Sequence, residues 1–202
     1  MNRPYLIAEM GVNFYDTGRA MGISPLDAAK LYIDKAAEVG IDCAKFQSYK
    51  AGTIVSKNSP AYWDTTKEPT KTQYELFLKH DSFGEKEYRD LCNYTHAKGM
   101  DFTSTPFDYV SADYLEDMVD FYKISSSDLS NIPFIRHIGA KGKPVYMSVG
   151  AAFLSEVDVA VRALKEVGCK DIVLLHCVLS YPTAPKDANL RVIETLKRDF
   201  PD

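Results

Sequence analysis

The chain predicts an α/β fold, a (β/α)8 TIM barrel of which about six βα units are present in 202 residues. Three observations predict it. Short apolar runs alternate with amphipathic stretches, one unit every roughly twenty-five to thirty-five residues, and such alternation means parallel strands with helices outside them. Polar and charged residues gather at the C-terminal end of each run, the face on which a barrel of this kind carries its active site. The segment after the first run, EMGVNFYDTG, lacks the GxGxxG pattern that a dinucleotide-binding doubly wound sheet places there.

The elements follow in order. YLIAE at 5–9 is a strand, closed by a turn at Gly11. Ser24-Pro25 opens a helix, the serine as N-cap and the proline at its first position. Leu26, Ala29, Ile33, Ala36 and Ala37 recur at helical spacing through Val39, and Gly40 stops the helix. DCAKFQ at 42–47 is the second strand. The Tyr- and Lys-rich stretch 48–70 has no clear period and is expected to form a functional loop or lid. Helices are expected at 71–80 and 85–98, the second ended by Gly99. DFTSTPFD at 101–108 is the third strand, with a helix after it to about Met118, and FYKISSSD at 121–128 is the fourth. A helix near 132–140 ends at Gly142, and KPVYMSVG at 143–150 is the fifth strand. Ser155 is expected to cap a helix from Glu156 to Val167, DIVLLHC at 171–177 is the sixth strand, and 187–199 is the sixth helix. No linker or low-complexity segment divides the chain, which reads as one barrel domain over 1–202.

Hydrophobic residues at 46% and charged residues at 26% are ordinary globular usage, and a net charge of -4 gives no basic face for nucleic acid. Cys43, Cys92, Cys169 and Cys177 have no CxxC spacing, so they read as reduced thiols without structural zinc. The opening MNRPYLIAEMGVN has an apolar run too short for a signal peptide or a membrane span, which points to the cytoplasm and away from membranes.

Lys45 and Lys123 lie inside apolar strands, where an ammonium must find an anion or lose its charge. Two outcomes stay open: a structural ion pair with Glu9 or Asp128, or a pocket for a phosphate or carboxylate completed by the hydroxyls of Thr105, Ser126 and Ser148. Asp128 suits a general base, an anchor for a substrate hydroxyl, or the N-cap of the next helix. Gln47 suits a sugar or amide partner, or a satisfied loop amide. No second His, Asp or Glu stands at ligand spacing from His176, so no metal site is expected in this chain. Cys177 follows directly, so the two side chains point to opposite faces of the strand and Cys177 reads as a packed thiol. Tyr181 lies past the strand, on a loop fixed by Pro182 and Pro185, where its ring can wall a pocket.

Together, IAEMGVN, AKFQSYKAGTIVSK, FTSTPFD, YKISSSDLSNIPFI, KPVYMSVG and DIVLLHCVLSYPTAPKDANLRVI resemble the sialic acid synthases, the N-acetylneuraminate synthase family, over nearly the whole chain and in the same order. The resemblance implies a (β/α)8 barrel followed by a small antifreeze-like domain. The last strands, that domain and the family's two metal-binding histidines are expected beyond residue 202. It implies condensation of phosphoenolpyruvate with N-acetylmannosamine or a related amino sugar, giving a nonulosonic acid and phosphate, by a homodimer that uses Mn2+ or Mg2+. It assigns phosphoenolpyruvate to Lys45, Thr105, Lys123, Ser126 and Ser148, and the amino sugar to Gln47, Asp128 and Tyr181, with Asp128 and the two lysines as the catalytic set. His176 and Cys177 fall to strand packing. Phosphorylated aldose acceptors would call for an Arg cluster at the strand ends, which the sequence lacks. Four positions depart from the family pattern: Phe14 replaces a histidine, Leu179 an asparagine, Val149 a threonine, and Asp128 a frequent glutamate. They keep open a synthase for another nonulosonic acid or a spore-coat polysaccharide precursor, or an inactive truncated homologue. Residues 1–202 alone are expected to show no turnover.

Overall fold

Each apolar run becomes a strand, and every pairing between these strands is parallel, as the alternation requires. The computed structural model describes residues 3–202, so Met1 and Asn2 of the opening stretch lie outside it. The chain forms two units, one ending at Asp120 and one beginning at Phe121. The expected α/β architecture is present, with its six strands arranged as two separate three-stranded sheets, one in each unit.

In the first unit the order is β1 (Ile7–Gly11), β2 (Cys43–Ser48), β3 (Asp101–Pro106). The register sets Glu9 beside Lys45, Lys45 beside Thr103, and Gln47 beside Thr105. Helix α1 (Phe14–Met21) was not expected from the sequence. Asn13 gives it no side-chain cap, so local signals are weak. Tertiary packing holds it instead. Phe14 is fully buried, with its ring centroid 4.6 Å from Tyr15, 5.0 Å from Phe83 and 5.8 Å from Phe46. Helix α2 (Pro25–Glu38) is the one Ser24-Pro25 announces: Ser24 Oγ accepts the Asp27 N–H at 3.0 Å, and Ala28, Ala29, Ile33 and Ala36 are buried.

The stretch after β2 has more structure than the sequence suggested. It contains the short helix α3 (Ala51–Ile54) and an antiparallel bridge between Pro60 and Thr72. Lys50 Nζ closes its base, donating to the carbonyls of Asp81 at 2.5 Å and Phe83 at 2.8 Å, and Tyr15 Oη accepts the Phe83 N–H at 2.9 Å. Near its tip the Glu68 carboxylate receives Lys79 Nζ at 2.7 Å and both the N–H and hydroxyl of Thr70. The Lys79 contact and then the Thr70 donors hold its pKa down to about 2. Helix α4 (Gln73–Leu78) follows with Thr72 and Glu75 as reciprocal caps, then α5 (Glu85–Ala97). Helix α6 (Tyr109–Tyr114), capped by Asp108, stops short of the expected Met118.

The second unit orders β4 (Tyr122–Ile124), β5 (Val145–Ser148) and β6 (Ile172–Leu175). All three are shorter than the runs that announced them. After Ile124 the Ser125 hydroxyl accepts the Ser127 N–H at 3.4 Å and the chain turns into a 3-10 segment, Ser126–Asp128. Short polar side chains that bond their own backbone end a strand in this way. The cap of α7 (Ile132–Gly139) is Asn131, so Asp128 does not serve that helix. Ser155 lies inside α8 (Leu154–Glu166) and is not its cap; the Glu156 carboxylate takes the Phe153 N–H at 2.8 Å instead. Pro185–Asp187 forms a 3-10 turn, and Asn189 at φ 42° delays α9 to Val192–Asp199. None of the described helices is long and apolar enough to cross a membrane, and all four cysteines are free.

Two outcomes test this packing. Phe14→Ala is expected to cost about 3–5 kcal/mol in urea unfolding, and Phe14→His, which buries a polar ring there, to be destabilising as well. Glu68→Gln is expected to speed amide hydrogen exchange over residues 59–73 and leave the exchange of β2 and β3 unchanged.

Candidate functional site

At the C-terminal end of the first sheet, alternation puts Lys45 and Gln47 on one face of β2, and Phe46 and Ser48 on the other. Phe46 packs against Phe14 and Phe102, and Ser48 Oγ meets Ser104 Oγ at 2.7 Å in a fully buried contact. That face anchors the strand. The opposite face presents Lys45, whose side chain is only 12% exposed and whose ammonium forms an ion pair with the Glu9 carboxylate. Lys45 Nζ also reaches Thr105 Oγ1 at 3.4 Å, and Gln47 Nε2 donates to Glu9 Oε1 at 3.4 Å. Tyr88 Oη donates to the Gln47 carbonyl at 2.6 Å and fixes that backbone. Lys45, Gln47 and Thr105 therefore come together. Glu9, which the sequence marked only as an ion-pair partner, is the hub among them; its signal was its place at the end of the first apolar run.

In the second unit Lys123 is buried, and its ammonium donates to the Ile124 carbonyl at 2.7 Å. Asp128 is half-buried on the 3-10 segment and accepts from Ser127 Oγ at 3.3 Å. Burial pushes its carboxyl above the ordinary 3.8, against the opposing pull of Ser127, Asn131 and the Lys123 charge. A carboxyl shifted in this direction is better suited to exchanging a proton near neutral pH than a fully solvated one. Ser126 Oγ accepts the Gly150 N–H at 3.0 Å, and the Cys177 thiol donates to Ser148 Oγ at 3.2 Å. These contacts tie together the ends of β4, β5 and β6. They also leave no room at Gly150, where a Cβ would stand 3.0 Å from Ser126 Oγ and 3.1 Å from Cys177 Cβ.

His176 lies just past the end of β6, and its Nε2–H donates to the Ala188 carbonyl at 2.8 Å. It lines a groove of about 410 Å³ between α8, β6 and α9. Tyr181 is 88% exposed, and Leu179 beside it is also exposed. The structure does not bring Tyr181 into the Ser126, Ser148 and Cys177 cluster. Among the described residues no group of three or more His, Cys, Asp or Glu side chains is placed to hold a metal ion.

The NeuB family profile matches residues 32–202. The chain belongs to the NeuB family. It is 37% identical to an uncharacterized protein of Methanocaldococcus jannaschii, covering 97% of this chain and 52% of that protein. It is 34% identical to the N,N'-diacetyllegionaminic acid synthase of Legionella pneumophila, covering 97% of this chain and 54% of that protein. The crystal structure of an N-acetylneuraminic acid synthetase from Leptospira borgpetersenii superposes with a TM-score of 0.83 at 32% identity, over 98% of this chain and 62% of that one. The chain thus spans about half the length of the curated relatives it matches. The resemblance to sialic acid synthases read from the sequence motifs holds.

Because burial raises Asp128, its folded carboxyl keeps its proton to higher pH than the unfolded one does. The stability it contributes is complete below the ordinary value and is lost as pH rises through the folded one. Asp128→Asn is therefore expected to raise the thermal midpoint at neutral pH, with the gain vanishing below about pH 4. Melting curves across pH 3–8 check this; an equal gain at every pH would sink it.

Proposed function

We propose that this protein is a sialic acid synthase-type transferase, condensing phosphoenolpyruvate with N-acetylmannosamine or a related amino sugar to a nonulosonic acid and phosphate. The observation that carries the reading is the Lys45 cluster: an ammonium held at a strand end of a NeuB-family chain, with a hydroxyl and an amide beside it. We read the six parallel strands as part of a (β/α)8 barrel domain; the alternation and the likeness to the Leptospira synthetase support this. A homodimer is proposed on the resemblance alone, and a cytoplasmic location on the shortness of the opening apolar run.

On the resemblance, the residues proposed to hold phosphoenolpyruvate are Lys45, Thr105, Lys123, Ser126 and Ser148, with the lysines neutralising its phosphate and carboxylate. Gln47, Asp128 and Tyr181 are proposed to meet the amino sugar. The enol C3 forms a carbon–carbon bond with the sugar aldehyde carbon, leaving an alkoxide on that carbon and an oxocarbenium at C2. Water adds at C2, and one of its protons passes through the Asp128 carboxylate to the alkoxide. The C2–O bond then breaks, phosphate leaves with its bridging oxygen, and the C2 hydroxyl gives its proton to that phosphate as the ketone forms. Sialic acid synthases are generally metal-dependent. The described residues do not fit a metal centre, and none of these steps is routed through one.

Phosphate release from phosphoenolpyruvate with N-acetylmannosamine and Mn2+, measured on the full-length protein and on residues 1–202, tests the proposal. Release by the full-length protein, lowered about a hundredfold or more by Lys45→Ala or Lys123→Ala, is the expected result. No release with any of several amino sugars would overturn it.

A further inference from the structure

The Glu9 carboxylate is held from three sides. Lys45 pairs with it, Gln47 Nε2 donates to its Oε1 at 3.4 Å, and Gly11 faces it with no side chain. A Cβ on Gly11 would stand 3.1 Å from Glu9 Oε1. The backbone is shaped for this arrangement. The pairing of β1 with β2 slips between Glu9 and Gly11, so that Glu9 faces Lys45 and Gly11 already faces Phe46, and Gly11 sits at φ 54°. A bulge of this kind bends the strand and re-aims its side chains, and a left-handed residue favours glycine. The result is a carboxylate placed on the ammonium that the proposed reaction needs for a substrate anion. Glu9 is itself 47% exposed, so it has room to swing away while Lys45 stays largely covered.

We propose that Glu9 is a positioning residue that stands in for the substrate anion: it keeps Lys45 aimed in the empty site and competes with phosphoenolpyruvate for it. This rests on the synthase reading given above. Binding then exchanges one anionic partner of Lys45 for another, so the ammonium is never left unpaired in its mostly buried position. Removing the Glu9 charge removes the competitor.

The test is calorimetric titration of the full-length protein with phosphoenolpyruvate. Glu9→Gln is expected to tighten binding about fivefold, the scale of a partly exposed charge pair. Glu9→Asp, which keeps the charge, is expected to show less than half of that gain. Lys45→Met should weaken binding, and Glu9→Gln added to Lys45→Met should bring no gain, because the competition acts only through Lys45. Equal or weaker binding by Glu9→Gln, or the same gain from Glu9→Asp, overturns the role of Glu9 while a loss in Lys45→Met leaves the synthase reading standing. If the unaltered protein shows no binding, the reading itself falls and the role of Glu9 with it.

Discussion

An ammonium in an apolar strand needs a negative partner, and much of the first unit serves that requirement. Lys45 stands between Ala44 and Phe46, both fully buried on a strand with neighbours on either side. Without an anion it would carry a large desolvation penalty. The parallel register supplies one, placing Glu9 directly beside it, and the next strand adds Thr105. The bulge at Gly11 and the amide of Gln47 then hold the carboxylate in place. The aromatic packing of Phe14, Phe46, Phe83 and Phe102 on the other face of β2 lets this polar face be precise, because it fixes the strand that carries it. It also accounts for Phe14, one of the departures from the family pattern: its ring belongs to the core and not to the polar face.

The second unit uses hydroxyls to join its strand ends. Its strands are only three or four residues long, so few ladder hydrogen bonds join them. Side chains at the strand ends add to those bonds: Ser126 to the Gly150 N–H, and Cys177 to Ser148. The glycine is required by the closeness of this meeting. The groups proposed to bind substrate are therefore also groups that join the strand ends, and their positions are set before any ligand arrives, which is what preorganised binding requires.

How much of this could be read from residues alone depends on where each signal lay. Helix α2 was legible because its cap, its proline and its small apolar residues all agreed. Helix α1 was not, because the cause of its formation is tertiary: its Phe14 and Tyr15 pack against Phe46 and Phe83 from other parts of the chain. Strand β4 was read too long because apolar periodicity says nothing about Ser125 turning its hydroxyl onto the backbone. Lys45, Gln47 and Thr105 could be grouped from their place at strand ends, since parallel register brings such residues together. Glu9 was seen only as an ion-pair partner because a bulge, unlike a strand, leaves no period in the sequence; Gly11 was read simply as a turn. Tyr181 was placed as a pocket wall by its prolines; it stands exposed on that loop, since proline fixes the backbone and not the direction of the side chain it carries.

Asp128 carries a local cost in stability. A carboxyl on a half-buried 3-10 segment, raised by its surroundings, is less stabilising at neutral pH than a neutral residue of the same shape would be. Asn131, whose side chain also bonds the Asp128 carboxyl, caps the next helix, and that contact offsets the cost only in part. Its neighbours are also few: one serine hydroxyl, the Asn131 side chain, and the more distant charge of Lys123. A carboxylate whose purpose was structural would gather donors until its pKa fell, as Glu68 does in the segment after β2. The two acids take opposite courses: donors pull Glu68 down, while burial outweighs them at Asp128, a direction that fits the proton-accepting role proposed for it.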